Sequence, residues 1–259
     1  MAKYEQLKAI LARLESLIVA YSGGVDSVFL FRVAYEVLGS KVLAVTADSP
    51  SVPRREIAEA QRLAQTIGAR HLVIQTEEIQ DANYAANPVN RCYFCKSELY
   101  SRLAEIARRE EIHYVANGTN LDDLGDYRPG LQAATEYQVV SPLKEAGLTK
   151  AEVRNLAEWL DLEVWDKPAS PCLASRIPYG QEVTPQKLAA IEMAEEFLRE
   201  FGIRELRVRH FGKKARIETH KCDFDVLQQN YEDIVEKFKA LGFEEIELME
   251  FKSGALNAV

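Results

Sequence analysis

An apolar run, Leu17-Ile-Val-Ala-Tyr21, passes directly into Ser22-Gly23-Gly24-Val25-Asp26-Ser27, and a helical pattern follows over 28–38. Strand, glycine turn and helix in immediate succession open a βαβ unit, and this step constrains the fold more than any other feature of the chain. The rhythm then repeats. Val42-Leu-Ala-Val-Thr46, His71-Leu-Val-Ile-Gln75 and Tyr114-Val-Ala116 read as further short strands and Val139-Val140 as a fifth, with helical patterns over 54–67 and 96–109. A helix over about 4–14 precedes the first strand. Strands that are apolar without alternation are buried on both faces, which predicts a parallel sheet sandwiched by helices.

After Asp166 the rhythm fails. Pro168, Pro171, Pro178, Gly180 and Pro185 crowd one segment, and a connection this long is usually functional. Upstream of it, Thr149-Lys-Ala-Glu152 forms a capping-box pattern for a helix reaching about 160. Downstream, a helix over 185–200, strands over 205–209 and 215–219, a helix over 225–241 and a strand over 244–250 predict a small α+β domain. The expected division is 1–168 and 169–259.

Charge narrows the ligand. The formal net charge of −8 argues against a general nucleic-acid coat. Locally, residues 204–221 hold seven Lys/Arg against two Glu, which suits a small phosphorylated ligand. No run approaches the length of a membrane span. The first residues lack a secretion-signal pattern, so a cytoplasmic protein is expected, with four cysteines serving metal or catalysis in preference to disulfides.

The glycine turn carries the chemistry. Gly23 and Gly24 let the backbone approach a ligand, the helix that follows offers unpaired N–H groups and a positive dipole end, and Ser22 and Ser27 add hydroxyls. Together they predict a nucleotide phosphate site. The pattern is neither GxxxxGK[ST] nor GxGxxG. Gly118-Thr119-Asn120-Leu121-Asp122-Asp123 follows another short strand and is either a second ligand loop or a plain helix N-cap. Arg207 and Arg209 alternate on one strand face, where two guanidinium forks make either a phosphate clamp or a solvated face.

The hexapeptide SGGVDS resembles the PP-loop of the ATP pyrophosphatase superfamily, which implies an adenine nucleotide alpha hydrolase-like α/β domain that cleaves ATP between its α and β phosphates. The resemblance implies that Asp26 places Mg²⁺, that Thr46 in Val45-Thr-Ala-Asp48 meets the adenosine, and that the loop from Gly118 lies beside the ATP, with Asp122 or Asp123 binding magnesium or orienting substrate. Further runs, Asp126-Tyr-Arg-Pro-Gly130, Trp165-Asp-Lys-Pro168, Ser170-Pro-Cys-Leu-Ala-Ser-Arg-Ile-Pro-Tyr-Gly180, Leu206-Arg-Val-Arg-His210 and Ala215-Arg-Ile-Glu218, resemble the LarE family in order along the whole chain.

That resemblance implies an ATP-dependent sulfur transferase. It adenylates the carboxylates of pyridinium-3,5-biscarboxylic acid mononucleotide and converts them to thiocarboxylates for the nickel-pincer nucleotide cofactor. It implies Cys172 as the sulfur-bearing residue, Arg207 and Arg209 as phosphate ligands, and a homo-oligomer, a hexamer in the family. Arg176 is expected to stabilise the adenylate or the substrate carboxylate. Glu195 is expected to be a general base or surface charge.

Cys92-Tyr-Phe-Cys95 sits at the start of the helix expected near 96 and, with Cys172, resembles the three-cysteine type of the family, which implies a [4Fe–4S] cluster that delivers sulfur repeatedly. Sacrifice of the Cys172 sulfur, leaving dehydroalanine, and persulfide carriage with a Cys92–Cys95 relay are the other routes. Cys222 reads as a bystander. A tRNA thiolase, an ammonia-dependent ligase and a non-catalytic nucleotide sensor are the competing readings of the chain.

Overall fold

The computed structural model describes residues 1–125 and 129–251. In chain order the helices and strands are α1 (Ala2–Ala12), β1 (Leu17–Ala20), α2 (Val25–Leu38), β2 (Val42–Asp48), α3 (Arg54–Ile67), β3 (Arg70–Gln75), α4 (Ala82–Ala85), α5 (Arg91–Arg109), β4 (Tyr114–Ala116), α6 (Pro129–Glu136), α7 (Pro142–Glu145), α8 (Lys150–Trp159), α9 (Pro185–Arg199), β5 (Leu206–Phe211), β6 (Lys214–Thr219), α10 (Phe224–Gln229), α11 (Tyr231–Ala240) and β7 (Glu245–Glu250). The chain forms two compact units, 1–78 with 90–170, and 79–89 with 171–259.

The first unit is built on a parallel sheet of order β3-β2-β1-β4. Alternation along the strands divides its apolar side chains. Leu17, Val19, Val42 and Ala44 join one core with α1, α2, α3 and α8, whereas Ile18, Leu43 and Val45 join another with α5 and α6. Both faces are covered, which is why the strands read as unbroken apolar runs. The fifth expected strand shrinks to one parallel bridge between Ala116 and Val140. The Thr149–Glu152 capping box opens α8 as expected.

Strand order positions the site. From β1 the chain winds outward through β2 to β3, then returns to place β4 on the other side of β1. At such a reversal an open α/β sheet places its ligand site outside the carboxyl ends of the strands. The loops leaving β1 and β4 carry Ser22–Ser27 and Gly118–Asp123.

The second unit has a three-stranded mixed sheet, β5-β6-β7, with β5 antiparallel and β7 parallel to β6. Leu206, Val208, Ala215 and Ile217 pack against α9, α10 and α11. The helix expected over 225–241 is broken at Asn230, which separates α10 from α11. Residues 79–89 belong here through Asn87, a fully buried residue with φ of 55°. Its side-chain amide donates to the carbonyls of Ile177 at 3.3 Å, Pro178 at 2.8 Å and Gln181 at 3.0 Å. No described helix is long and apolar enough to cross a membrane.

Candidate active site

In the first unit the turn after β1 is closed by its own serines. Ser22 N–H donates to Ser27 Oγ at 3.2 Å, and Ser27 Oγ donates to the Gly24 carbonyl at 3.0 Å. Gly24 caps α2. The helix gives no partner to the first-turn N–H groups of Val25, Asp26 and Ser27, so they are available to an anion. Gly23 has φ of 73°, and a Cβ there would come within 3.0 Å of Ala60 Cβ on α3. Gly118 is equally constrained: its Cβ would lie 3.1 Å from Asp26 Cβ and from the Ser27 nitrogen. The Gly118 loop therefore approaches the start of α2 closely enough that a side chain there would force its neighbours to shift.

Distant side chains brace this turn. Asp26 accepts from Asn120 Nδ2 at 3.2 Å and is paired with Lys150. The Lys150 N–H donates to Asp122 Oδ2 at 2.9 Å, and Asn120 N–H donates to Asp123 Oδ2 at 2.9 Å. Lys167 reaches the Gly23 carbonyl at 3.3 Å and pairs with Glu59 at 2.6 Å and Glu56 at 2.9 Å. Burial would raise the Glu56 carboxyl, but the hydrogen bond and charge of Lys167, aided by Arg55 and the Ser170 hydroxyl, hold it below the usual carboxylate range. Asn120 and Lys167 lie in runs that the sequence singles out, but neither they nor Lys150 were assigned a role at the phosphate turn by sequence reasoning. Their partners lie 94, 144 and 124 positions away.

Thr46 is 3% exposed, and its hydroxyl donates to the Tyr21 carbonyl at 2.8 Å. His71 Nε2 lies 2.8 Å from Thr46 Oγ1, within hydrogen-bond distance. The hydroxyl of Thr46, the residue expected to meet the adenosine, is thus engaged within the fold. Asp126, Tyr127 and Arg128 of the quoted run lie outside the described residues.

Cys92 and Cys95 also belong to this unit. Their helix starts earlier than expected, at Arg91 instead of 96, so both lie inside its first turns at i and i+3 on one face. All four cysteines are thiols; Cys95 and Cys172 are partly exposed, and Cys92 and Cys222 are exposed. Within neither unit do the described His, Cys, Asp and Glu side chains make a group of three set to hold a metal. Thiolates suit an iron–sulfur cluster. Asp26 suits magnesium, which commonly takes one or two carboxylates plus substrate phosphates.

In the second unit a 3-10 turn over Leu173–Arg176 follows Cys172. Arg176 and Glu195 are paired at 2.8 Å with side chains 2% and 3% exposed, so Glu195 is not surface charge. Arg209 pairs with Glu218 at 2.9 Å, both equally buried, and its Nη1 donates to the Ser175 carbonyl at 2.7 Å. Arg207 shares this face as alternation requires, but it is only half-buried and its guanidinium lies 4.6 Å from the Phe251 ring centre. Burial and then the charges of Arg176 and Arg209 push its pKa down. Arg207 has no carboxylate at ion-pair distance among the described residues. The expected pair of phosphate forks is thus unequal, with Arg209 committed to Glu218. The basic stretch is also mostly answered: Lys213 pairs with Glu244, Lys214 and Arg216 with Glu247, and Lys221 with Glu250.

The sequence profile of the NAD synthase family matches residues 5–119. A pyridinium-3,5-bisthiocarboxylic acid mononucleotide synthase of Lactiplantibacillus plantarum is 36% identical over 261 residues, covering 98% of this chain and 94% of its own. The chain belongs to the LarE family of the PP-loop superfamily. It is an ATP-dependent, sulfur-transferring enzyme. An uncharacterised protein of Synechocystis is 45% identical across 100% of this chain and 98% of its own. A component of the glutamine-hydrolysing GMP synthase of Archaeoglobus fulgidus is 26% identical over 71% of this LarE-family chain and 64% of its own.

Proposed function

We propose that this protein converts the carboxylates of pyridinium-3,5-biscarboxylic acid mononucleotide to thiocarboxylates in nickel-pincer cofactor synthesis, as a cytoplasmic homo-oligomer. The observation that carries the reading is a tether. The Ser170 hydroxyl helps hold Glu56, and Glu56 shares Lys167 with the Gly23 carbonyl. Cys172 is two residues further on, so chain length alone keeps its Cα within about 7 Å of Ser170. A cysteine so tethered to the lysine cluster that braces the phosphate turn suits transfer of sulfur to a newly formed acyl-AMP.

The steps follow from the groups present. The turn at 22–27 and the N-terminus of α2 bind the ATP phosphates, with Asp26 and Asp122 supplying carboxylate oxygens for Mg²⁺. A substrate carboxylate oxygen attacks the α-phosphorus and pyrophosphate leaves. Oxide is a poor leaving group from a carboxylate and AMP is a good one, so the acyl-AMP is open to a sulfur nucleophile. Sulfur bonds to the acyl carbon, and the carbon–oxygen bond to AMP breaks. Arg207, without a carboxylate of its own, is assigned to the mononucleotide phosphate.

Cys92, Cys95 and Cys172 would hold the [4Fe–4S] cluster, whose chemistry is to supply a sulfide so that the polypeptide survives turnover. In the absence of this supply, the Cys172 thiolate is the nucleophile that displaces AMP, and loss of the Cys172 Cα proton to water then breaks the Cβ–S bond, releases the thiocarboxylate and leaves dehydroalanine. Cys172→Ala should still bind ATP and release pyrophosphate on adenylation while forming no thiocarboxylate. Thiocarboxylate from that variant overturns the assignment. Intact mass before and after turnover separates the routes, since only sacrifice removes H₂S from the chain.

A further inference from the structure

We infer that Arg176 is a positioning residue that holds the backbone around Cys172, in place of the adenylate or substrate contact expected from sequence. The inference rests on the proposed role of Cys172. Its basis is how the five guanidinium donors are used. Nη1 donates to the Pro171 carbonyl at 2.7 Å, the Cys172 carbonyl at 3.1 Å and Ser175 Oγ at 3.0 Å. Nε and Nη2 face the two oxygens of Glu195 at 2.8 and 3.2 Å. At 2% exposure the group has no open side from which to meet a ligand.

The clamp is referenced to rigid elements. Glu195 stands on α9, and its Oε1 also accepts the Val208 N–H of edge strand β5 at 3.0 Å. Arg209, also on β5, takes the Ser175 carbonyl from the far end of the turn. The backbone is therefore gripped at 171, 172 and 175 by two guanidinium groups, each neutralised by a buried carboxylate. Both oxygens of Glu195 are thus taken, by Arg176 and by the Val208 N–H, and at 2% exposure neither has an open side toward a substrate. Glu195 is accordingly the anchor of the clamp and not a general base. A lysine at 176 would keep the charge but not the planar fork that meets carboxylate and carbonyls together.

The test uses the full chain and the variants Arg176→Lys and Glu195→Gln. Alkylation of Cys172 by iodoacetamide is followed across pH by peptide mass spectrometry, with Cys222 of the same unit as internal reference. In R176K the Cys172 rate should rise about tenfold and its pH profile should move with Cys222 unchanged, while sulfur-transfer kcat falls at least about tenfold and KM for ATP stays within about twofold, since small misplacements at a reacting atom cost rate and not nucleotide affinity. An unchanged Cys172 profile overturns the inference. Loss of AMP formation with an unchanged Cys172 profile also overturns it and returns Arg176 to the adenylate. If R176K does not fold, the near-isosteric E195Q decides by the same readout. If the wild-type enzyme makes no thiocarboxylate while R176K still shifts Cys172 alone, the functional reading fails and the clamp stands.

Discussion

The phosphate turn of the first unit and the arginine face of the second use charge in opposite ways. At the turn, the Asp26–Lys150 pair is partly open, with side chains 21% and 38% exposed, and the helix N–H groups await an anion. On the arginine face, Arg176, Arg209, Glu195 and Glu218 are almost wholly removed from water and answer one another. Open charge can be redirected to a ligand at little cost to the fold. Buried charge is tied to the fold, and disturbing one partner exposes the full desolvation penalty of the other.

The sharpest way to break this contrast is Arg209→Met. It strands Glu218 and should destabilise the protein by about 3–5 kcal/mol in urea unfolding, while the double change with Glu218→Leu recovers most of the loss. A cost below about 1 kcal/mol would mean that the pair is as open as a surface one. Next in size is Gly23→Ala, which forces an L side chain to positive φ at about 1–2 kcal/mol and presses on Ala60. ATP affinity should fall about tenfold or more, one decade per 1.4 kcal/mol, with Cys172 alkylation unchanged.

Lys150→Met removes an open partner. Stability should move by less than about 1 kcal/mol while the Mg²⁺ dependence of ATP binding changes, because Asp26 is left without its ammonium. The smallest effect is on pH. Burial lowers the pKa of His71 in the first unit, and burial with Lys187 nearby lowers that of His210 in the second. The unfolded chain then binds more protons than the folded one, so stability should fall as pH drops below about 6.5, the ordinary histidine value. His210→Phe should flatten that fall in a melting-temperature series; an unchanged slope would remove His210 as a cause.

What could be read from sequence was what is local in it. The turn at 22–27 declares itself because strand, glycines, helix start and both serines are contiguous, and the parallel sheet follows from apolar runs without alternation. The arginine face was misjudged because its counter-charges arrive later in the chain. The stretch 204–221 looks strongly basic until β7 brings Glu247 and Glu250 alongside and Glu244 precedes it. The roles of Lys150 and Lys167 could not be read locally because their partners at the turn lie 124 and 144 positions earlier. The start of α5 was placed late because its first turn, Arg91 to Phe94, carries no side-chain cap to announce it.

Asn87 has a consequence for how the protein can be divided. The change of rhythm after Asp166 invites a cut there, yet the C-terminal piece would lose residues 79–89 with it. The carbonyls of Ile177, Pro178 and Gln181 would lose their common donor, and the Gly180 N–H would lose the Asn87 carbonyl it binds at 2.9 Å. The smaller unit is not a contiguous module in the linear chain: shuffling or truncation at the apparent seam would take a keystone out of it.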